Sequence, residues 1–147
     1  LQLNGNDPWV LTSATHGLAF CGAADVGALT GKIRGLGVAL APEHHSYLAG
    51  IHYLSGDYAA AVAAARQVDQ GYHGLRAWSV AANVETGDLE SARSEADRLF
   101  NSLIRNWRSN RAATRAVAGD WLAELFPIRD QAVRKRLRRR LAEAGLA

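Results

Sequence analysis

A seven-residue pattern occurs twice in this chain, and little other than a helical hairpin accommodates it. Ser55-Gly56-Asp57-Tyr58-Ala59-Ala60-Ala61 and Thr86-Gly87-Asp88-Leu89-Glu90-Ser91-Ala92 share one form: a small residue, Gly, Asp, a bulky residue, two further residues, then Ala. Their glycines lie 31 residues apart. Each copy is flanked on both sides by sequence of helical period. A glycine in that setting supplies the left-handed backbone conformation that ends one helix, and the Asp after it caps the next. Each copy therefore predicts a tight antiparallel helix pair. A weaker third copy, Cys21-Gly22-Ala23-Ala24, stands 34 residues before Gly56. Repetition at this period is the signature of helical units stacked side by side.

After the turns, Tyr58, Ala61, Val62 and Ala65 recur at spacings of three and four, as do Leu89, Ala92, Ala96 and Leu99. These spacings place small apolar residues on one stripe of each helix, where neighbouring helices can approach closely. Asp7-Pro8-Trp9 and Ala41-Pro42-Glu43 mark helix starts, with proline at the first helical position. The spacing predicts helices near 8–21, 25–39, 42–55, 57–70, 73–86, 88–104, 111–126 and 130–144, and no alternating strand. Gly27, Gly31, Gly35 and Gly37 weaken the second of these, each by up to about 1 kcal/mol relative to Ala. The pattern fails after Trp107. There Val117, Trp121, Leu122 and Leu125 give one apolar face before Phe126-Pro127, and a final helix follows. The expected architecture is all-α: stacked hairpins over about 1–110, and a helix pair over 111–147 that caps the last apolar face, in one domain spanning 1–147.

Bulk properties agree with a folded chain. Its 147 residues are 48% hydrophobic and 21% charged, ordinary globular composition. No apolar run approaches the roughly 20 residues of a membrane span, no signal peptide opens the chain, and the single cysteine, Cys21, has no internal disulfide partner. A cytoplasmic protein is expected, with Cys21 in an apolar context that suits burial. The absence of methionine, an initiator included, suggests a segment of a longer chain. The net charge of +3 is uneven, because residues 131–147 carry six basic residues and one acidic residue. Any cationic surface is therefore local to the tail.

Ser55-Gly56-Asp57-Tyr58, Thr86-Gly87-Asp88-Leu89, Trp121-Leu122, Phe126-Pro127-Ile128-Arg129-Asp130 and the closing Leu141-Ala142-Glu143-Ala144-Gly145-Leu146 together carry a resemblance. The chain is similar to the tetratricopeptide-like region toward the C-terminus of bacterial, rhizobial-type regulatory proteins, among them class III adenylate cyclases and winged-helix transcription regulators. The resemblance implies a TPR-like α-α superhelix that serves as a regulatory or protein-binding module. The chain departs from the repeat consensus at His45 and His52, and at Arg76 and Asn83, where large aromatics often stand.

Candidate functional residues are few. His45 and His52 share a helix face but lie two turns apart, a rise of about 10 Å, whereas metal ligands on one helix sit three or four residues apart. Packing or surface roles are expected for both, and no metal. Trp107 and Arg108 lie in the polar stretch 106–111, where an aromatic beside arginines can mark an interface. Trp9, Trp78 and Trp121 sit at core spacing. Arg138 and Arg139 belong to the basic run 134–140, whose Val133, Leu137 and Leu141 form a stripe that calls for burial. Such a helix shows its arginines to water, or grips phosphates. No nucleophile with a base, carboxylate pair or phosphate loop has the required spacing, so neither catalysis nor a cofactor is expected. The leading expectation is a non-catalytic interaction module for another protein, a neighbouring domain or a second copy. The alternative is an effector or nucleic-acid binding domain that uses the basic helix or a pocket between hairpins.

Overall fold

The computed structural model describes residues 6–68, 73–108 and 110–147, and it is all-helical over them. The elements are α1 (Pro8–Cys21), α2 (Val26–Arg34), α3 (Pro42–Leu54), α4 (Tyr58–Ala65), α5 (Arg76–Glu85), α6 (Leu89–Arg105), α7 (Arg115–Leu125) and α8 (Gln131–Glu143), with a 3-10 turn at His73–Leu75 leading into α5. No helix among the described residues is long and apolar enough to cross a membrane.

The repeated turns form as their chemistry dictates. At the end of α3, Gly56 adopts φ +80°, the Asp57 N–H donates to His52 O at 2.9 Å and the Gly56 N–H to Tyr53 O at 3.0 Å. Gly87 repeats this with φ +84°, with Asp88 donating to Asn83 O and Gly87 to Val84 O. Each Asp then turns to the next helix: Asp57 accepts the Ala60 N–H at 3.1 Å and Asp88 the Ser91 N–H at 3.0 Å. Three residues thus end one helix and start another, and the two helices pack along each other. Gly22 and Gly145 end α1 and α8 in the same way.

The hairpins α1/α2, α3/α4, α5/α6 and α7/α8 pack internally, and α1 lies on α3, α4 and α3 on α5, and α6 on α7. Helix α5 is central. Trp78 is completely buried on it, 4.2 Å between ring centroids from Phe126 and 5.5 Å from Tyr53. The last hairpin does more than cover the end of the stack. Helix α8 packs on α5 through the fully buried Leu137 and Leu141, and the α7–α8 link reaches α1, where the Arg129 N–H donates to Phe20 O at 2.9 Å and Phe126 stacks on Phe20. The tail fills the space across the stack.

Several expectations are corrected. Helix α2 stops at Arg34 rather than near 39, with Gly35 at its end, and α4 stops at Ala65; positions 69 and 70, expected to be helical, lie outside the described residues. Helix α7 starts at Arg115, where Thr114 caps the Val117 N–H, four residues later than expected. Cys21 is exposed, because the last residue of α1 precedes its glycine turn on the outer side. Trp9 and Trp121 are 43% and 41% exposed, so neither is a core residue.

Candidate functional site

The expected site residues fall in separate places. His45 is half-buried on α3, its imidazole held below the usual range by burial and by neighbouring His44. His52 is buried; Arg34 donates to its Nε2 at 3.2 Å, and its Nδ1 lies 3.9 Å from Asp57. Burial first and Arg34 second lower its pKa, against Asp57. A neutral His52 therefore links α2 to the α3–α4 turn. Among the described residues no cluster of three His, Cys, Asp or Glu side chains is placed to hold a metal ion.

Several arginines of the basic helix are engaged by other parts of the chain. Arg138 pairs with Asp120 at 3.2 Å and Glu124 at 3.1 Å, both on α7. Arg139 lies 3.8 Å from Glu143. Arg136 donates to the Tyr58 hydroxyl at 2.7 Å. Arg134 donates to Ile128 O. Arg140 meets Glu85 of α5 and Glu143, and its hydrogen bonds to them push its pKa further above the ordinary guanidinium value. Arg134, Arg136, Arg138 and Arg140 tie α8 to the preceding link, α4, α7 and α5, whereas Arg139 pairs within α8. Sequence separations of up to 78 residues between partners explain why the pairing is invisible before folding.

Arg76 and Asn83 line a cleft of about 300 Å³ between the α3/α4 and α5/α6 hairpins. Arg76 reaches Glu95 at 3.4 Å, and Arg98 reaches the same carboxylate at 2.9 Å. Asn83 donates to Ser79 O at 2.9 Å. Short side chains at Ala49, Ala65 and Ser79, among the lining residues, leave the hollow.

Trp107 joins a different feature. Its indole N–H donates to Arg111 O at 2.8 Å, and its ring lies edge-on to Trp121, 6.1 Å away. Trp121 and Leu125 are one turn apart on α7, and Leu125 is 42% exposed. Leu125 borders a shallow hollow of about 240 Å³ with Tyr47, Gly74, Leu75 and Phe126. Tyr47 meets Trp9 at 5.7 Å, and Trp9 meets His44 at 5.5 Å. An aromatic and apolar strip thus runs from Trp107 across α7 to α3 and α1. Arg108 is exposed in the segment after α6.

Comparison of the chain with protein-family models, curated proteins and solved structures gives no match.

Proposed function

We propose that the chain is a non-catalytic, tetratricopeptide-like interaction module of a bacterial signalling or transcription regulator, and that it binds a protein surface through the strip from Trp107 to Trp9. The strip itself carries this reading. Soluble surfaces seldom gather large apolar side chains in one place, and aromatic anchors around a shallow hollow are what a protein partner buries. One observation supports the module over the nucleic-acid alternative: Arg136, Arg138, Arg139 and Arg140 of α8 lie against Glu85, Asp120, Glu124 or Glu143, carboxylates that a phosphate backbone would have to displace.

The test is affinity capture and sedimentation with the wild-type chain, a Trp121→Ser/Leu125→Ser variant and an Arg138→Gln/Arg139→Gln variant. All four substituted positions are exposed, so folding is expected to survive. Protein retention or self-association lost only in the first variant supports the proposal. Nucleic acid retained by the wild type and lost only in the second would overturn it.

A further inference from the structure

His52 and Arg34 are joined in a way that one protonation state of the imidazole allows and the other forbids. A guanidinium carries N–H donors and no acceptor, so the 3.2 Å contact from Arg34 to His52 Nε2 needs the lone pair on that nitrogen. The ring proton of the neutral imidazole then sits on Nδ1, which faces Asp57 at 3.9 Å. A second ring proton would remove the acceptor and set two cations against each other. Little water is at hand to soften that conflict, because the His52 side chain is 9% exposed. Among the described residues, the charged groups that act on the ring are Arg34 of α2, which opposes its protonation, and Asp57 of the α3–α4 turn, which favours it less strongly. Lys32, the other cation in the last turn of α2, is exposed, and His45 on the same helix as His52 lies two turns away.

The contact falls where α2 has least support. Helix α2 packs along α1, and its last buried side chain is Ile33. From Arg34 to Ala41 the chain passes Gly35 and Gly37 with Leu36 and Leu40 half-buried and every other residue exposed. We infer that the Arg34–His52 contact is a pH-dependent latch: it fastens the end of α2 and the link to α3 while the imidazole is neutral, and it lets them open when the imidazole takes a proton. Burial and Arg34 hold the latched imidazole below the ordinary 6.5, whereas an opened one in water titrates near that value. Above pH 6.5 both forms are neutral, and the latch is indifferent to pH. Below pH 6.5 the open form gains its proton first, so opening becomes easier as pH falls, by at most about thirtyfold at pH 5.

The experiment is amide hydrogen exchange of the whole chain at about pH 7.5 and about pH 5, corrected for the intrinsic pH dependence of exchange, beside nitrogen-15 spectra of the imidazoles. At the higher pH the His52 ring should carry its proton on Nδ1 and none on Nε2. The amides of Gly35 and Leu36, which donate to Gly31 O and Ile33 O, should lose at least about threefold more protection between the two pH values than those of the central helix α5. His52→Gln keeps an acceptor for Arg34 without a titrating group and should abolish that difference, whereas His16→Gln, which removes the other buried imidazole, should keep it. Arg34→Met, at an exposed position, should lower the protection of the same two amides at the higher pH by about threefold or more and leave α5 as in the wild type. Thermal melts confirm that each variant is folded. A proton on Nε2 of the wild type at the higher pH would overturn the inference. So would a pH response of folded His52→Gln equal to that of the wild type, or unchanged protection in folded Arg34→Met.

Discussion

His16 makes the stability of this fold depend on pH in a way that can be worked out in advance. The side chain lies on α1 with 4% of its surface exposed, among the rings of Phe20, Tyr47 and Trp78 at centroid distances of 4.5, 5.3 and 6.0 Å. Its Nε2 has no hydrogen-bond partner among the described residues. Burial alone lowers its pKa from 6.5 to about 4. Above pH 6.5 the imidazole is neutral whether the chain is folded or not, and it leaves stability unaffected. Between pH 6.5 and pH 4 the unfolded chain takes up a proton that the folded chain refuses, so stability falls as pH falls. Below pH 4 the loss levels off at about 3 kcal/mol, from 1.36 kcal/mol per pH unit of separation. Between pH 7 and pH 5 the loss from this residue is about 2 kcal/mol. Urea unfolding followed by circular dichroism should show it as a fall in midpoint of about 1 M. His16→Gln keeps a polar group and removes the titration. Its midpoint should move much less between the same two pH values, because the contributions of His45 and His52 are common to both proteins. If His16→Gln loses as much stability as the wild type, the aromatic enclosure is not what governs the acid response.

Three further outcomes follow from the same packing. A Cβ at Gly50 would stand 2.4 Å from His16 Nε2 and 2.8 Å from Trp78 Nε1, so Gly50→Ala should destabilise by about 1–3 kcal/mol despite its better helix propensity, and His16→Ala in the same chain should recover part of that, read as non-additive melting shifts. Glu85→Ala removes the carboxylate that holds Arg140 and Arg136 to α5; because both arginines are partly exposed, the expected cost is about 2 kcal/mol, measurable by denaturant titration and larger than that of Glu143→Ala. Gly119 packs so tightly on the Leu146 backbone that an added Cβ has no room, and Gly119→Ala should lower the thermal midpoint by several degrees, about 2–4 °C for each 1 kcal/mol in a chain of this size.

The hairpins are legible in the sequence because their turns are local: Gly56-Asp57 and Gly87-Asp88 each do two jobs within a few residues, so spacing alone locates them. The helix ends that went astray depend on context. Gly35 ends α2 at negative φ, and nothing in Gly35-Leu36-Gly37 distinguishes the glycine that stops a helix from one that rides in it. Trp9 and Trp121 look like core residues because periodicity reports that a helix has an apolar face, without saying whether a partner covers it. The partners of Arg138 and Arg140 are equally hidden, since Glu124 and Glu85 meet them only once α8 has folded back over α7 and α5. Arg76 and Asn83 stand out as polar residues where bulk is expected, and the structure places a hollow there. The residues joining Trp107 in the strip had no such signal, for they come from three separate helices.

The return of α8 onto α5 also changes how the molecule holds together in time. A row of hairpins that touch only their neighbours can fray from either end, each unit opening at its own modest cost. Here Leu137, Leu141, Arg136 and Arg140 fasten a late segment of the chain to the middle of the row, and Arg129 fastens the link before it to α1. Neither end can open without disturbing the centre, so unfolding becomes a concerted event. During synthesis the earlier hairpins must wait, incompletely buried, until that fastening emerges.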